Sequence, residues 1–253
     1  MEKFITYNGK LINAGGTSLL KINEPFSEFA LDFGGTDERL VGSSTLSTFD
    51  GLQELSISFW VKGNNLNGFL FANKSSQGAT TAYQQFASTI NNTSSSIINF
   101  SVNLLSIGFT RGDTSSLLPD TWNHILWCYS SLGGKVYING VDVTTISPSG
   151  GATLYTATST FVIAALSPTV GGTVSVIDEF AIWGSDQRNN LSQIYNNGTP
   201  SNLNDLSTIP DHWWRMGENG VWDGTNWTIP DENGGYNLTT QNMEESDRIN
   251  VVP

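Results

Sequence analysis

The stretch that most constrains this chain is Asp120–Val143, DTWNHILWCYSSLGGKVYINGVDV. Trp122–Tyr129 is dense in aromatic and β-branched residues, and Ser130–Gly134 breaks the run. Lys135–Ile138 then leads into Asn139-Gly140, a pair suited to a tight type I′ turn. Side chains alternate along a strand, so Trp122, His124, Leu126 and Cys128 share one face while Asn123, Ile125, Trp127 and Tyr129 share the other. Both faces are largely apolar. The pattern predicts a central strand covered on both sides, with further sheet built around this ribbon.

The chain has 253 residues, enough for one large all-β domain or two small ones, and enough to bury a core without covalent staples. Eight Trp, thirteen Phe and seven Tyr supply the core-forming surface. Only 13% of residues are charged, so solubility falls to Ser, Thr, Asn and Gly, which also suit turns between short strands. The net charge of -12 argues against nucleic acid or an anionic membrane as partner. The lone Cys128 excludes a disulfide within the chain, and its place on a strand predicts a buried, inert thiol. The start, MEKFITYNGKLINAGG, has no apolar h-region, so no signal peptide is expected. No window approaches the ~18 apolar residues that a membrane span needs.

Residues 1–29 read as an appendage of very short strands with glycine turns, too small to stand alone in water, and Pro25 marks its end. It must dock on the following domain or on another chain. The main domain is expected over 30–253. Within it, Leu55–Lys62 alternates cleanly, Ile97–Leu105 and Phe161–Leu166 read as strands, and so does Val174–Trp183. One short helix is predicted within Asp186–Asn197, stopped by Asn196-Asn197-Gly198. Strands at about 210–240 complete the domain. Arg111-Gly112-Asp113 spells an integrin-type tripeptide; Gly-Asp favours turns and short motifs arise by chance, so no adhesive role is read from it.

Four blocks, in order, resemble the laminin G-like, concanavalin A-like family: ALDFGGTDERLVG at 30–42, LSISFWVK at 55–62, TWNHILWCYSSLGGKVYINGVDV at 121–143 and VIDEFAIWGSD at 176–186. The resemblance implies a jelly roll, an all-β sandwich of two stacked antiparallel sheets, from residue 30 to about 200. HWWRMGE at 212–218 and IPDENGGYNLTT at 229–240 are similar to a strand and turn that open the domain in many members; here they close it, as in a circular permutation. The overall arrangement also resembles virion proteins of bacteriophages, with the start that lacks an export signal, the TYNGKLINAGG appendage and the DENGGYN…NMEESDR ending. That resemblance implies a protein released by lysis on a particle, its appendage docked on other virion proteins or on copies of itself. The jelly roll would then meet a neighbouring subunit or a host-surface glycan.

Glucanases of this fold set acidic residues at alternate strand positions so that they face one sugar cleft. The nearest stretch here has Asp178 and Glu179 adjacent, which predicts opposite faces and no catalytic pair. No catalytic residues are therefore assigned, and the chain is read as a non-enzyme. His124 and His212 are expected to be packed, hydrogen-bonded imidazoles. The fold implies calcium as the most plausible ion, with Asp178, Asp231 and Asn233 as hard oxygen ligands. For carbohydrate, Trp127, Tyr129 and Tyr137 offer an aromatic platform; packing beneath the terminal segments or the helix is their other expected fate. The reading is a virion structural or adhesion protein, with a free-standing carbohydrate-binding module as the alternative and a glycoside hydrolase behind it.

Overall fold

The computed structural model describes residues 4–7, 10–13, 26–74, 84–92, 94–103, 109–173 and 175–253. In chain order its strands are β1 (Phe4–Tyr7), β2 (Lys10–Asn13), β3 (Ala30–Phe33), β4 (Arg39–Thr45), β5 (Leu55–Lys62), β6 (Asn67–Lys74), β7 (Gln84–Asn91), β8 (Ile97–Val102) and β9 (Phe109–Asp113). They continue with β10 (Asn123–Ser130), β11 (Gly133–Ile138), β12 (Val141–Asp142), β13 (Thr144–Ile146), β14 (Thr160–Ile163), β15 (Ala165–Ser167), β16 (Val170–Gly171) and β17 (Ser175–Trp183). After the helix α1 (Leu191–Tyr195) come β18 (His212–Trp214), β19 (Met216–Asn219), β20 (Val221–Trp222), β21 (Trp227–Ile229), β22 (Leu238–Gln241) and β23 (Arg248–Ile249).

Two antiparallel sheets form the sandwich. One runs β12-β11-β10-β5-β17-β3-β23 with β18 also paired to β17; the other runs β13-β9-β8-β7-β6-β14-β4-β22-β21-β20. The ribbon sits where its composition places it: β10 lies between β11 and β5, and all eight of its residues are buried. Asn139 and Gly140 take φ of 50° and 78°, the two positive values that a type I′ turn demands. Ile125, Trp127 and Tyr129 point between the sheets, where Phe59, Phe71, Phe86, Phe100, Phe161 and Phe180 meet them. Leu126 and Cys128 point outward, against Ile194 of the helix and Leu203. The segment after β17 therefore closes the outer side of the smaller sheet.

The C-terminal strands enter both layers. β18 pairs with β17, and β22 lies between β4 and β21. The predicted helix is a single turn and a half, and Asn196 and Asn197 end it with φ of 44° and 55°. β1 and β2 form a separate hairpin, with Phe4 opposite Asn13. Residues 14–25, and with them the expected boundary at Pro25, lie outside the described residues.

Candidate functional site

The structure separates the residues that the sequence singles out. Trp127 is fully buried and stacks on Phe100, ring centroids 5.1 Å apart. Tyr129 is also fully buried, and its hydroxyl accepts a hydrogen bond from the Ala152 amide at 3.0 Å. Tyr137 packs on the outer cluster beneath the segment that follows β17. The expected sugar platform is thus corrected. Two of its rings belong to the core between the sheets, and the third is claimed by the cover over the other face. Alternation sorts the faces correctly but does not say which face meets water.

The expected calcium trio is likewise split. Asp231 is fully occupied: Oδ2 lies 2.6 Å from His212 Nδ1 and accepts from the Tyr236 amide, while Oδ1 accepts from the Trp213 and Asn233 amides. Burial acts to raise its pKa, yet these donors, His212 first, hold the carboxyl below the ordinary aspartate value. Asn233 turns its amide nitrogen to the Pro210 carbonyl at 2.9 Å. His212 Nε2 lies 2.8 Å from Thr48 Oγ1, so the imidazole bridges β18 to the loop before β5. In this structure Asp231 and Asn233 build the turn between β21 and β22 and tie it to β18 and Pro210.

Asp178 joins a different group. It was expected to face away from Glu179, but the two converge with Glu218, one carboxylate oxygen from each lying within 4.8 Å of the others. The register of β17 against β5 shifts between Asp178 and Ala181, and Glu179 adopts φ 49°. A bulge of this kind suspends the two-residue alternation, so neighbours in sequence share one side. Asp178 Oδ1 accepts from the Glu179 amide at 2.7 Å and Oδ2 from Ser27 Oγ at 2.7 Å. Glu179 accepts from Arg215 Nε at 3.2 Å and Trp213 Nε1 at 2.8 Å. Glu218 Oε1 accepts from the Glu28 and Phe29 amides and lies 3.1 Å from Ser27 Oγ, whose single proton goes to Asp178 at the shorter distance. Arg215 also donates to the Phe26 carbonyl and lies over the Phe26 ring, which stacks on Trp213. The group therefore clasps residues 26–29 onto the sandwich.

Three carboxyls beside one guanidinium, all largely out of water, must hold protons or a cation. Burial, then the charges of Glu179 and Glu218, raise Asp178 well above the ordinary aspartate value; burial pushes Glu179 up to about 8 against the pull of Arg215. Among the described residues this is the one acidic grouping of metal-binding dimensions. Its donor set does not suit calcium, which takes six to eight oxygens. Every carboxylate oxygen except Glu218 Oε2 already accepts a protein hydrogen bond, and Arg215 supplies the positive charge. Nor does it suit glycoside cleavage: Asp178 and Glu179 are 0% and 3% exposed, not facing one another across an open cleft.

An open polar surface lies elsewhere, on the outer face of the larger sheet. Ile98 and Phe100 of β8 enter the core, which turns Asn99 outward. Register sets Phe69 of β6 opposite Thr89 of β7, Thr89 opposite Asn99, and Asn99 opposite Arg111 of β9. All four are half-buried. Asn99 Nδ2 donates to Thr89 Oγ1 at 3.5 Å, and Arg111 Nε donates to Asn99 Oδ1 at 2.9 Å. Beyond Arg111 opens a cleft of ≈ 360 Å³, lined among others by Ser96, Ile97, Asp113, Ser115 and Thr145. An aromatic ring followed by aligned hydrogen-bonding side chains has the parts of a sugar site: an apolar face to pack on and polar groups to fix orientation. The residues come one from each of four strands, so no local motif announces them. The alternation of IINFSV at 97–102 is the one signal that puts Asn99 outside.

Comparison with known proteins agrees with this architecture. The family profile described as the concanavalin A-like lectin/glucanases superfamily, Laminin_G_3, matches residues 33–193, more than half of the chain. A candidate carbohydrate-binding protein from Bacteroides ovatus superposes with TM-score 0.62 at 13% identity, over 86% of this chain and 59% of that one. The heptameric SAP-like pentraxin of Limulus polyphemus superposes with TM-score 0.52 at 17% identity, over 85% of this chain and 96% of that one. The chain thus spans about three fifths of the Bacteroides protein, and at these identities both structures speak for the fold alone. No curated protein matches the sequence. By the extent of the profile match and the two-sheet sandwich, the chain belongs to the concanavalin A-like lectin/glucanase superfamily, in its laminin G-like branch.

Proposed function

We propose that this chain is a non-enzymatic, lectin-like adhesion or structural protein that contacts glycan through the outer face of its larger sheet. The observation that carries the reading is the row Phe69–Thr89–Asn99–Arg111, which leaves hydrogen-bonding groups half-exposed on a rigid sheet. Sites built on strands hold their geometry well, and a pre-formed site loses little entropy on binding. The acids that would have to break a glycosidic bond are instead buried and bonded, which favours binding over hydrolysis. In the same reading the protein rides on a bacteriophage virion, a placement supported by the resemblance of its arrangement to phage virion proteins. The Phe4–Asn13 hairpin would dock there on other virion proteins or on copies of itself.

A glycan array probed with the purified chain tests the binding half. Specific hits that weaken in Asn99→Ala are the expected outcome, and a blank array at millimolar sensitivity overturns it. Release of reducing sugar from any bound glycan would replace it with the hydrolase. Detection of the chain in purified phage particles, by mass spectrometry, tests the location; its absence from them would leave the free-standing binding module.

A further inference from the structure

The Arg111-Gly112-Asp113 tripeptide is not a loop. It lies on β9, where Gly112 faces inward and Arg111 and Asp113 face the cleft together. Gly112 lets the strand lie close on the core: a Cβ there would meet Val136 Cγ1 at 3.0 Å and Ile98 Cγ2 at 3.1 Å, and those side chains would have to give way. Tight packing at Gly112 therefore fixes two opposite charges two residues apart on one open face.

Among the described residues neither charge is spent on an ion pair. Arg111 has no acidic partner among the described residues; its Nε is committed to Asn99, which orients the guanidinium, and the Arg111 carbonyl accepts from Thr145 Oγ1. By contrast, Arg188 and Arg215 meet acids at 2.6 and 3.2 Å. Asp113 Oδ1 accepts from the Ser115 amide at 2.8 Å, and that bond favours the ionised carboxylate. The exposed carboxylate is thus an acceptor throughout the neutral range.

Resting on the glycan-binding reading above, we propose that this cleft selects sugars carrying a carboxylate, with Arg111 pairing to the acid and Asp113 accepting from ring hydroxyls. The fit is chemical. A guanidinium presents parallel N–H donors that match a carboxylate's two oxygens, and such charge-assisted bonds are about twice as strong as neutral ones. A carboxylate-bearing sugar also brings hydroxyl donors, which is what Asp113 requires. Ser115 and Thr145 add hydroxyls along the wall, and Ile97 gives an apolar contact for ring C–H groups. A neutral sugar leaves Arg111 without its partner, and a carboxylate-bearing one must set its acid on the Arg111 side and its hydroxyls toward Asp113, because the Asp113 carboxylate repels a like charge.

The test is calorimetric titration of the full chain with trigalacturonate and with its methyl ester, and with sialyllactose and lactose. Methylation removes the charge while keeping the ring and its hydroxyls. The acid forms are expected to bind about tenfold or more tightly than their neutral counterparts. Arg111→Ala should abolish that preference, and Arg111→Lys should keep part of it. Asp113→Asn removes a hydroxyl acceptor from both ligands and a like charge from the acid alone, so it should weaken the ester more than the acid and widen the preference. Equal affinity for acid and ester, or a preference unchanged in Arg111→Ala, overturns the selectivity while leaving neutral-glycan binding intact. Failure of these sugars together with a blank glycan array would overturn the glycan reading itself. Near-ultraviolet circular dichroism of each variant confirms that it is folded.

Discussion

The clasp around Asp178, Glu179 and Glu218 and the row from Phe69 to Arg111 are built from similar polar groups and come to opposite ends. In the clasp every carboxylate oxygen except Glu218 Oε2 finds its partner inside the chain, and the product is an anchored segment, residues 26–29. In the row the strands hold the same kinds of group in line and leave them half-exposed, with Arg111 lacking an acid among the described residues. Buried polar groups must be satisfied by their own protein, because leaving one unmet costs about 1–3 kcal/mol. Groups at a surface are under no such demand, and those that stay unspent remain available to a ligand. Acidity alone therefore does not mark a site; unspent bonding capacity at an accessible place does.

The contrast can be broken most severely from the core side. Trp127→Ala removes a fully buried ring from its stack on Phe100 and is expected to lower unfolding stability by about 3–5 kcal/mol, measured by urea denaturation. A sugar platform would tolerate the same change with little loss of stability, so a small effect would restore Trp127 to the ligand face.

Next in size is the pH dependence of the clasp. Glu179 is pushed from the ordinary 4.5 up to about 8, so the folded state favours its protonated form. The corresponding stability is complete below about 4.5 and is lost as pH rises through about 8. Asp178 shifts in the same direction. The midpoint of urea unfolding should therefore fall as pH rises from about 4.5 to about 8 and level off above that, and the exchange protection of the Glu28 and Phe29 amides, corrected for intrinsic rate, should fall over the same range. Glu179→Gln keeps a neutral side chain at every pH and should flatten the profile. A profile as steep as that of the unaltered protein would refute the assignment. At the acid end Asp231 acts oppositely: its stabilisation is present above 3.8 and lost as pH falls through its lowered folded value.

The smallest expected effect on stability sharpens the other half. Thr89→Ala should stay within about 0.5 kcal/mol of the parent, since it loses one long bond at a half-exposed site, and Asn99→Ala, which also loses the bond from Arg111, should cost about 1 kcal/mol or less. The same changes should weaken glycan binding severalfold. Loss of stability without loss of binding would make the row a structural feature like the clasp.

The fold was largely legible because β10 carries its own instructions. Asn139-Gly140 dictates the turn, and two apolar faces demand cover from both sides. The same fact hid the fate of Trp127 and Tyr129, since a strand apolar on both faces does not tell which side holds the core. Asp178 and Glu179 misled for a different reason: the bulge at Glu179 uses no glycine or proline, so nothing local signals that alternation stops there. Glu218, Arg215 and Ser27 reach the clasp from distant parts of the chain, and their meeting follows only from the pairing of β17 with β18 and β3. The row is hidden in the same way. Phe69, Thr89, Asn99 and Arg111 become neighbours only once the register of four strands is set.

Hydrogen exchange of the whole chain, followed by mass spectrometry with and without a saturating glycan from the array, tests the central claim most directly. Protection confined to peptides spanning β6 to β9 and β13 is the expected result. Protection centred on residues 26–29 and 212–218, with the larger sheet unchanged, would place the ligand at the acidic clasp and contradict the account.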